Sequence, residues 1–105
     1  MKVQLTLGER FAVLGILPNE GTFATLKIIR KLREQLSLTE DEIKEYNVRQ
    51  EENNLMWDAS KALDEKEFEF GEFSEDLIVK KLKEIDKDEK LTEQQYPIYE
   101  KFIKE

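Results

Sequence analysis

The sequence predicts an α+β fold of about five helices, in two helix-turn-helix-like pairs around a small antiparallel sheet of two or three strands. Three observations predict it. Apolar residues recur at intervals of three and four over 22–36 and 77–85, the period of a helix with one buried stripe. Glu67-Phe68-Glu69-Phe70 alternates strictly, the period of a strand with one buried face. A Ser or Thr followed three residues later by Glu or Gln opens several of the helical stretches, the pattern of a capping box.

The first helix begins near Thr6, where the Thr6 oxygen and the Glu9 carboxylate can each meet a free backbone N–H. Phe11, Leu14, Ile16 and Leu17 make it apolar almost all round, so it is expected to be buried. Pro18-Asn-Glu-Gly21 ends it in a turn. The second helix runs from about Thr22 to Leu36, with Phe23, Leu26, Ile29, Leu32 and Leu36 as one stripe and Lys27, Arg30, Lys31 and Glu34 opposite. Thr39 and Glu42 cap a short third helix reaching Tyr46, with Leu38 and Ile43 as a hydrophobic staple.

Between Tyr46 and Phe73 the pattern changes, and this is where the sheet is expected. Asn53-Asn54 offers a hairpin turn, and Gly71 is placed to close the last strand. Ser74 then caps a fourth helix, stapled by Phe73 and Ile78 and striped by Ile78, Leu82 and Ile85. Asp86–Lys90 reads as a charged loop. Leu91-Thr92…Gln95-Tyr96 repeats the capping design before a last helix carrying Tyr96, Tyr99, Phe102 and Ile103, with Pro97 in its first turn. The expected core is Phe11, Leu14, Leu17, Leu26, Ile29, Leu32, Ile43, Ile78, Leu82, Ile85, Tyr99 and Phe102.

The second and fourth helices also match at an offset of 50, Ile28–Glu34 onto Ile78–Glu84, and the starts of the third and fifth match at an offset of 53, Leu38-Thr-Glu40 onto Leu91-Thr-Glu93. Amphipathic helices with basic flanks share this pattern widely, so the match does not by itself establish two equivalent units.

The 105 residues fit a single compact domain, 1–105. They include no histidine and no cysteine. That removes disulfides, thiolate nucleophiles, zinc–sulfur sites and the usual base of a hydrolytic triad. Asp86-Lys-Asp-Glu-Lys90 fails as a calcium loop, because Leu91 and Pro97 stand where glycine and glutamate are needed. No clustered glycines cradle a phosphate. A carboxylate stripe of Glu67, Glu69 and Glu72 is read more simply as the wet side of a strand than as a cation site. No catalytic residue, metal ligand or cofactor is expected, and the chain is read as a non-enzyme. Glu9 and Arg10 interrupt the apolar run a signal peptide needs, and no run reaches the length of a membrane span, so a cytoplasmic protein is expected.

The net charge of −7 is concentrated. Residues 37–76 hold fourteen acidic and four basic side chains, whereas 1–36 hold three and six. Such a field attracts basic partners and repels nucleic acid, although a solvated surface also explains it. The acidic third helix would be a poor reader of DNA, which leaves Lys27, Arg30, Lys31 and Arg33 as the plausible phosphate contacts. Trp57 has two readings, an anchor in an interface or the largest piece of a small core.

The run Leu5-Thr-Leu-Gly-Glu-Arg-Phe-Ala-Val-Leu-Gly-Ile-Leu-Pro-Asn-Glu-Gly21, with Leu26-Lys-Ile-Ile-Arg-Lys-Leu-Arg33, resembles small uncharacterised proteins of phages and prophages of Gram-positive bacteria. The resemblance implies no catalytic residue or cofactor. It implies a protein that binds and blocks a host protein, or an accessory part of the virion or replication machinery. The functional expectation is thus a small acidic protein-binding module that meets a protein with a basic surface through Glu51, Glu52, Trp57, Glu67 and Glu69. The alternative is a nucleic-acid accessory protein using the basic helix faces. Self-association is also open.

Overall fold

The computed structural model describes residues 1–58 and 64–103. Strand β1 (Lys2–Leu5) leads into α1 (Leu7–Ile16), α2 (Phe23–Leu36) and α3 (Glu40–Glu45). A hairpin of β2 (Arg49–Glu51) and β3 (Asn54–Met56) follows, then β4 (Lys66–Glu69), α4 (Glu72–Lys87) and α5 (Tyr96–Phe102). The α+β class and the five helices agree with the sequence-based expectation. No helix among the described residues is long and apolar enough to cross a membrane.

The strands depart from expectation. They form two separate antiparallel pairs, β1 with β4 and β2 with β3, rather than one sheet between Tyr46 and Phe73. Lys2-Val3-Gln4-Leu5 alternates as strictly as Glu67–Phe70, and β1 pairs with β4 so that Val3 faces Phe68 and Lys2 faces Glu69. The pairing puts Val3, Leu5, Phe68 and Phe70 on the core side, where all four are buried. The Phe70 N–H donates to the Met1 carbonyl at 2.8 Å and extends the ladder.

In the hairpin Glu51 lies opposite Asn54, so the turn is Glu52-Asn53 and not Asn53-Asn54. Both turn residues have positive φ, 46° and 71°, as a two-residue turn matched to strand twist requires. Asn53 suits that conformation and Glu52 is strained in it.

Helix α1 is the hub, packing against α2, α4, α5 and β1. Of the expected core, Leu17, Ile29, Leu32, Ile78, Leu82 and Phe102 are buried, while Phe11, Leu14, Leu26, Ile85 and Tyr99 are half-buried. Ile43 is a correction, 41% exposed. Its neighbour Glu42 is drawn inward by an ion pair with Arg10, which turns Ile43, a helical step away, toward solvent. Phe23 is a second correction, 84% exposed. It falls in the outward row with Lys27, Arg30 and Glu34, not in the stripe of Ile29, Leu32 and Leu36.

The Thr6 and Thr39 caps form as expected, with both reciprocal bonds at Thr6–Glu9 and Thr39–Glu42, and Thr22 also caps α2 through the Thr25 N–H. The Ser74 cap does not. Helix α4 starts earlier, with Gly71 as its N-cap and no side-chain bond there, and Phe73 is left 73% exposed instead of forming a staple. Gly71 therefore opens a helix rather than closing a strand, and Glu72 belongs to α4. The same helix runs on to Lys87, which shortens the expected charged loop. Thr92 and Gln95 do exchange their capping bonds, at 3.3 and 3.1 Å, but these build a turn and α5 begins only at Tyr96. Tyr96 is exposed, and Ile98 is the residue that α5 buries completely.

Candidate functional site

Among the described residues the fold buries two charged side chains, Glu9 and Arg10, neighbours on α1. A buried guanidinium is tolerated only with its donors satisfied. Arg10 is 2% exposed, and its Nε and Nη2 donate to the Leu36 carbonyl at 3.2 and 3.0 Å. Its Nη2 also donates to the Ser37 carbonyl at 2.8 Å, and its Nη1 to Glu42 Oε2 at 2.6 Å. The cation thus sits at the C-terminus of α2, where the helix dipole favours it, and ties that end to the start of α3. Its other neighbour is the Phe68 ring, 5.2 Å from the guanidinium carbon. Burial pushes the Glu42 carboxyl up, but the Arg10 and Thr39 hydrogen bonds and the nearby cations outweigh it and hold Glu42 at about 2.

Glu9 has a matching arrangement. Lys101 Nζ on α5 donates to Glu9 Oε1 at 2.7 Å, to the Gln4 carbonyl at 2.7 Å and to Glu65 at 3.3 Å. Every buried side-chain nitrogen and oxygen among the described residues has a hydrogen-bond partner. These two clusters are joints between elements, with their charges committed to each other.

Beside them lies a cleft of about 380 Å³. Its floor is the face of α1 carrying Gly8, Phe11, Ala12 and Gly15. One wall is Trp57, whose ring meets Phe11 with centroids 5.1 Å apart and planes tilted by 44°. The other wall is Gln94 and Gln95 of the turn before α5, with Pro97 in the first turn of that helix. Gly8 lies under Trp57, where a Cβ would come 3.7 Å from the indole Cζ2. Gly15 has open space where its Cβ would be. The cleft is predominantly apolar, with two neutral amides and Glu9 at its margin. That composition suits capture of a side chain or small ligand.

The residues expected from sequence fall in three places. Glu51 and Glu52 are exposed at the hairpin end, Glu51 paired with Arg49 Nε at 3.0 Å. Glu67 and Glu69 are exposed on the outer face of β4, opposite Gln4 and Lys2. Trp57 is half-buried, packing on Phe11 and walling the cleft, and it is not among the buried core residues, which corrects its reading as the largest piece of the core. The hairpin pair and the β4 pair stand on different sheets, so the five residues are not one constellation. Sequence reasoning missed the cleft itself. The readable signal was Gly8, Ala12 and Gly15 at helical spacing, which clears one face of α1.

No family model, curated protein or solved structure matches this chain.

Proposed function

We propose that this chain is a small, acidic, non-catalytic protein-binding module that engages a partner with a basic surface. The observation that supports it best is the placement of carboxylates: Glu51 and Glu52 at the end of a projecting hairpin, and Glu67 and Glu69 on the outer face of β4. Each pair is solvent-exposed, and each belongs to a segment with ten more negative than positive charges. Such groups act by steering encounter and selecting partners by charge, more than by adding affinity. The resemblance to phage and prophage proteins gives the direction: an inhibitor or accessory protein acting on a host or phage protein in the host cytoplasm.

The competing reading, a nucleic-acid accessory protein, rests on Lys27, Arg30, Lys31 and Arg33 of α2, of which Lys27, Arg30 and the exposed Phe23 share one row. It is weakened by α4, whose outward side mixes Lys80, Lys83 and Lys87 with Asp76 and Glu84.

The test is capture of a partner from a Gram-positive lysate, followed by association kinetics with a variant reversed to lysine at Glu51, Glu52, Glu67 and Glu69. The association rate at low salt should fall by about tenfold or more, with a smaller change in dissociation. An unchanged rate removes the reading. Binding of labelled single- or double-stranded DNA that depends on Arg30 and Arg33 favours the alternative.

A further inference from the structure

We infer that the cleft between α1, Trp57 and the turn before α5 is an anchor pocket for one large apolar side chain carried on a basic peptide segment. The inference rests on the protein-binding reading and adds to it the feature that would hold a partner once charge has brought it near.

Three observations carry it. The first is shape. Gly8, Ala12 and Gly15 leave one face of α1 low, and Phe11 and Trp57 rise beside it to leave about 380 Å³. Binding pockets for small groups begin at about 300 Å³. The second is chemistry. The walls offer aromatic faces, a proline ring and the neutral amides of Gln94 and Gln95, so an apolar group loses water there without meeting an unpaired charge. The third is the rim. Glu9, which lines the cleft, shares the single ammonium of Lys101 with Glu65, so this cluster holds one more carboxylate than cation. A cleft with an apolar interior and an excess of carboxylate at its margin is complementary to an apolar residue flanked by lysine or arginine. An acidic peptide with the same apolar residue would meet repulsion at that rim.

Trp57 is the only tryptophan, so its fluorescence reports the cleft directly. The probe is an acetylated and amidated pentapeptide with a central phenylalanine between two pairs of lysines. Its control has alanine at the centre. Burying the phenyl ring should make the first peptide bind about tenfold tighter or more, with a saturable change in Trp57 emission. Gly15→Leu fills the open space on α1 and replaces glycine by a better helix former. It should abolish the advantage of phenylalanine over alanine while leaving circular dichroism and binding of the alanine peptide unchanged. Should Gly15→Leu not fold, N-acetylphenylalaninamide serves instead, because it should displace the phenylalanine peptide from the wild-type chain. Equal affinity for the two peptides, an unaltered preference in Gly15→Leu, or no displacement overturns the anchor pocket. If both peptides bind equally and salt weakens both, the acidic surface stands and the pocket falls. If neither binds, both readings fall.

Discussion

Arg10 is the residue on which the most separate parts of this fold meet. It stands on α1, caps α2, pairs with α3 and lies against β4 through Phe68. Removing its side chain leaves Glu42 without its guanidinium partner and the Leu36 and Ser37 carbonyls without that donor, so Arg10→Ala should cost about 3–5 kcal/mol in chemical denaturation. A loss under about 1 kcal/mol would mean that the buried pair is not a joint. Glu42→Gln keeps the shape and removes the charge, and its cost should depend on pH. The folded carboxyl titrates at about 2 against an ordinary 4.5. A depressed carboxyl stabilises the fold above its unfolded value and loses that contribution as pH falls through its folded value. The stability gap between wild type and Glu42→Gln should thus be full above about pH 5 and close as pH falls toward 2. A gap that stays constant across this range would contradict the ion pair. Leu32 is a simpler case, 1% exposed in the centre of the α2 stripe, and Leu32→Ala should cost about 2–5 kcal/mol. An unchanged melting temperature would show that the site is not packed.

The elements were legible in proportion to how much of their cause is local. Caps are local, and the Thr6, Thr22 and Thr39 starts were readable from a few residues each. Thr39→Ala should cost about 1 kcal/mol, visible in urea unfolding, because its oxygen accepts the Glu42 N–H at 3.1 Å. No measurable effect would mean that α3 is held by Arg10 alone. The strand pairing was not legible in that way. The alternation of Glu67–Phe70 showed a strand, but its partner is β1, more than sixty residues away, and a period-2 pattern carries no information about its mate. The start of α4 was misplaced because Ser74 has capping chemistry, yet the chain leaving β4 turns helical at Glu72, before that serine. The offset of 50 between α2 and α4 aligns Leu32 with Leu82, both buried, and Phe23 with Phe73, both exposed. It also aligns half-buried Ile28 with fully buried Ile78, so the two helices share a sequence pattern more closely than a packing environment. The candidate site was half legible. Trp57 could be singled out by type, whereas the cleft needs α1, the chain after β3 and the turn before α5 to converge.

For the whole molecule, the surplus of carboxylates sets how stability responds to salt. Fourteen acidic side chains in residues 37–76 face four basic ones, and the net charge is −7. Among the described residues the shortest ion pairs are Arg10–Glu42 and Lys101–Glu9, where the side chains are largely shielded from solvent. Shielded pairs are screened little by added salt, whereas repulsion among exposed carboxylates is screened once their separation passes about 8 Å at physiological ionic strength. Screening should therefore relieve more repulsion than it removes attraction, and the folded state should gain from it. Raising sodium chloride from about 10 to about 150 mM should raise the melting temperature by a few degrees. Reversal of Glu51, Glu52, Glu67 and Glu69 to lysine removes part of that repulsion. It should raise the melting temperature at low salt and flatten the response, provided Glu51 contributes little through its exposed pair with Arg49. A melting temperature that falls as salt is added would show that attractive surface pairs dominate. The acidic middle would then be part of the scaffold, its carboxylates already matched within the fold and much less available to a basic partner.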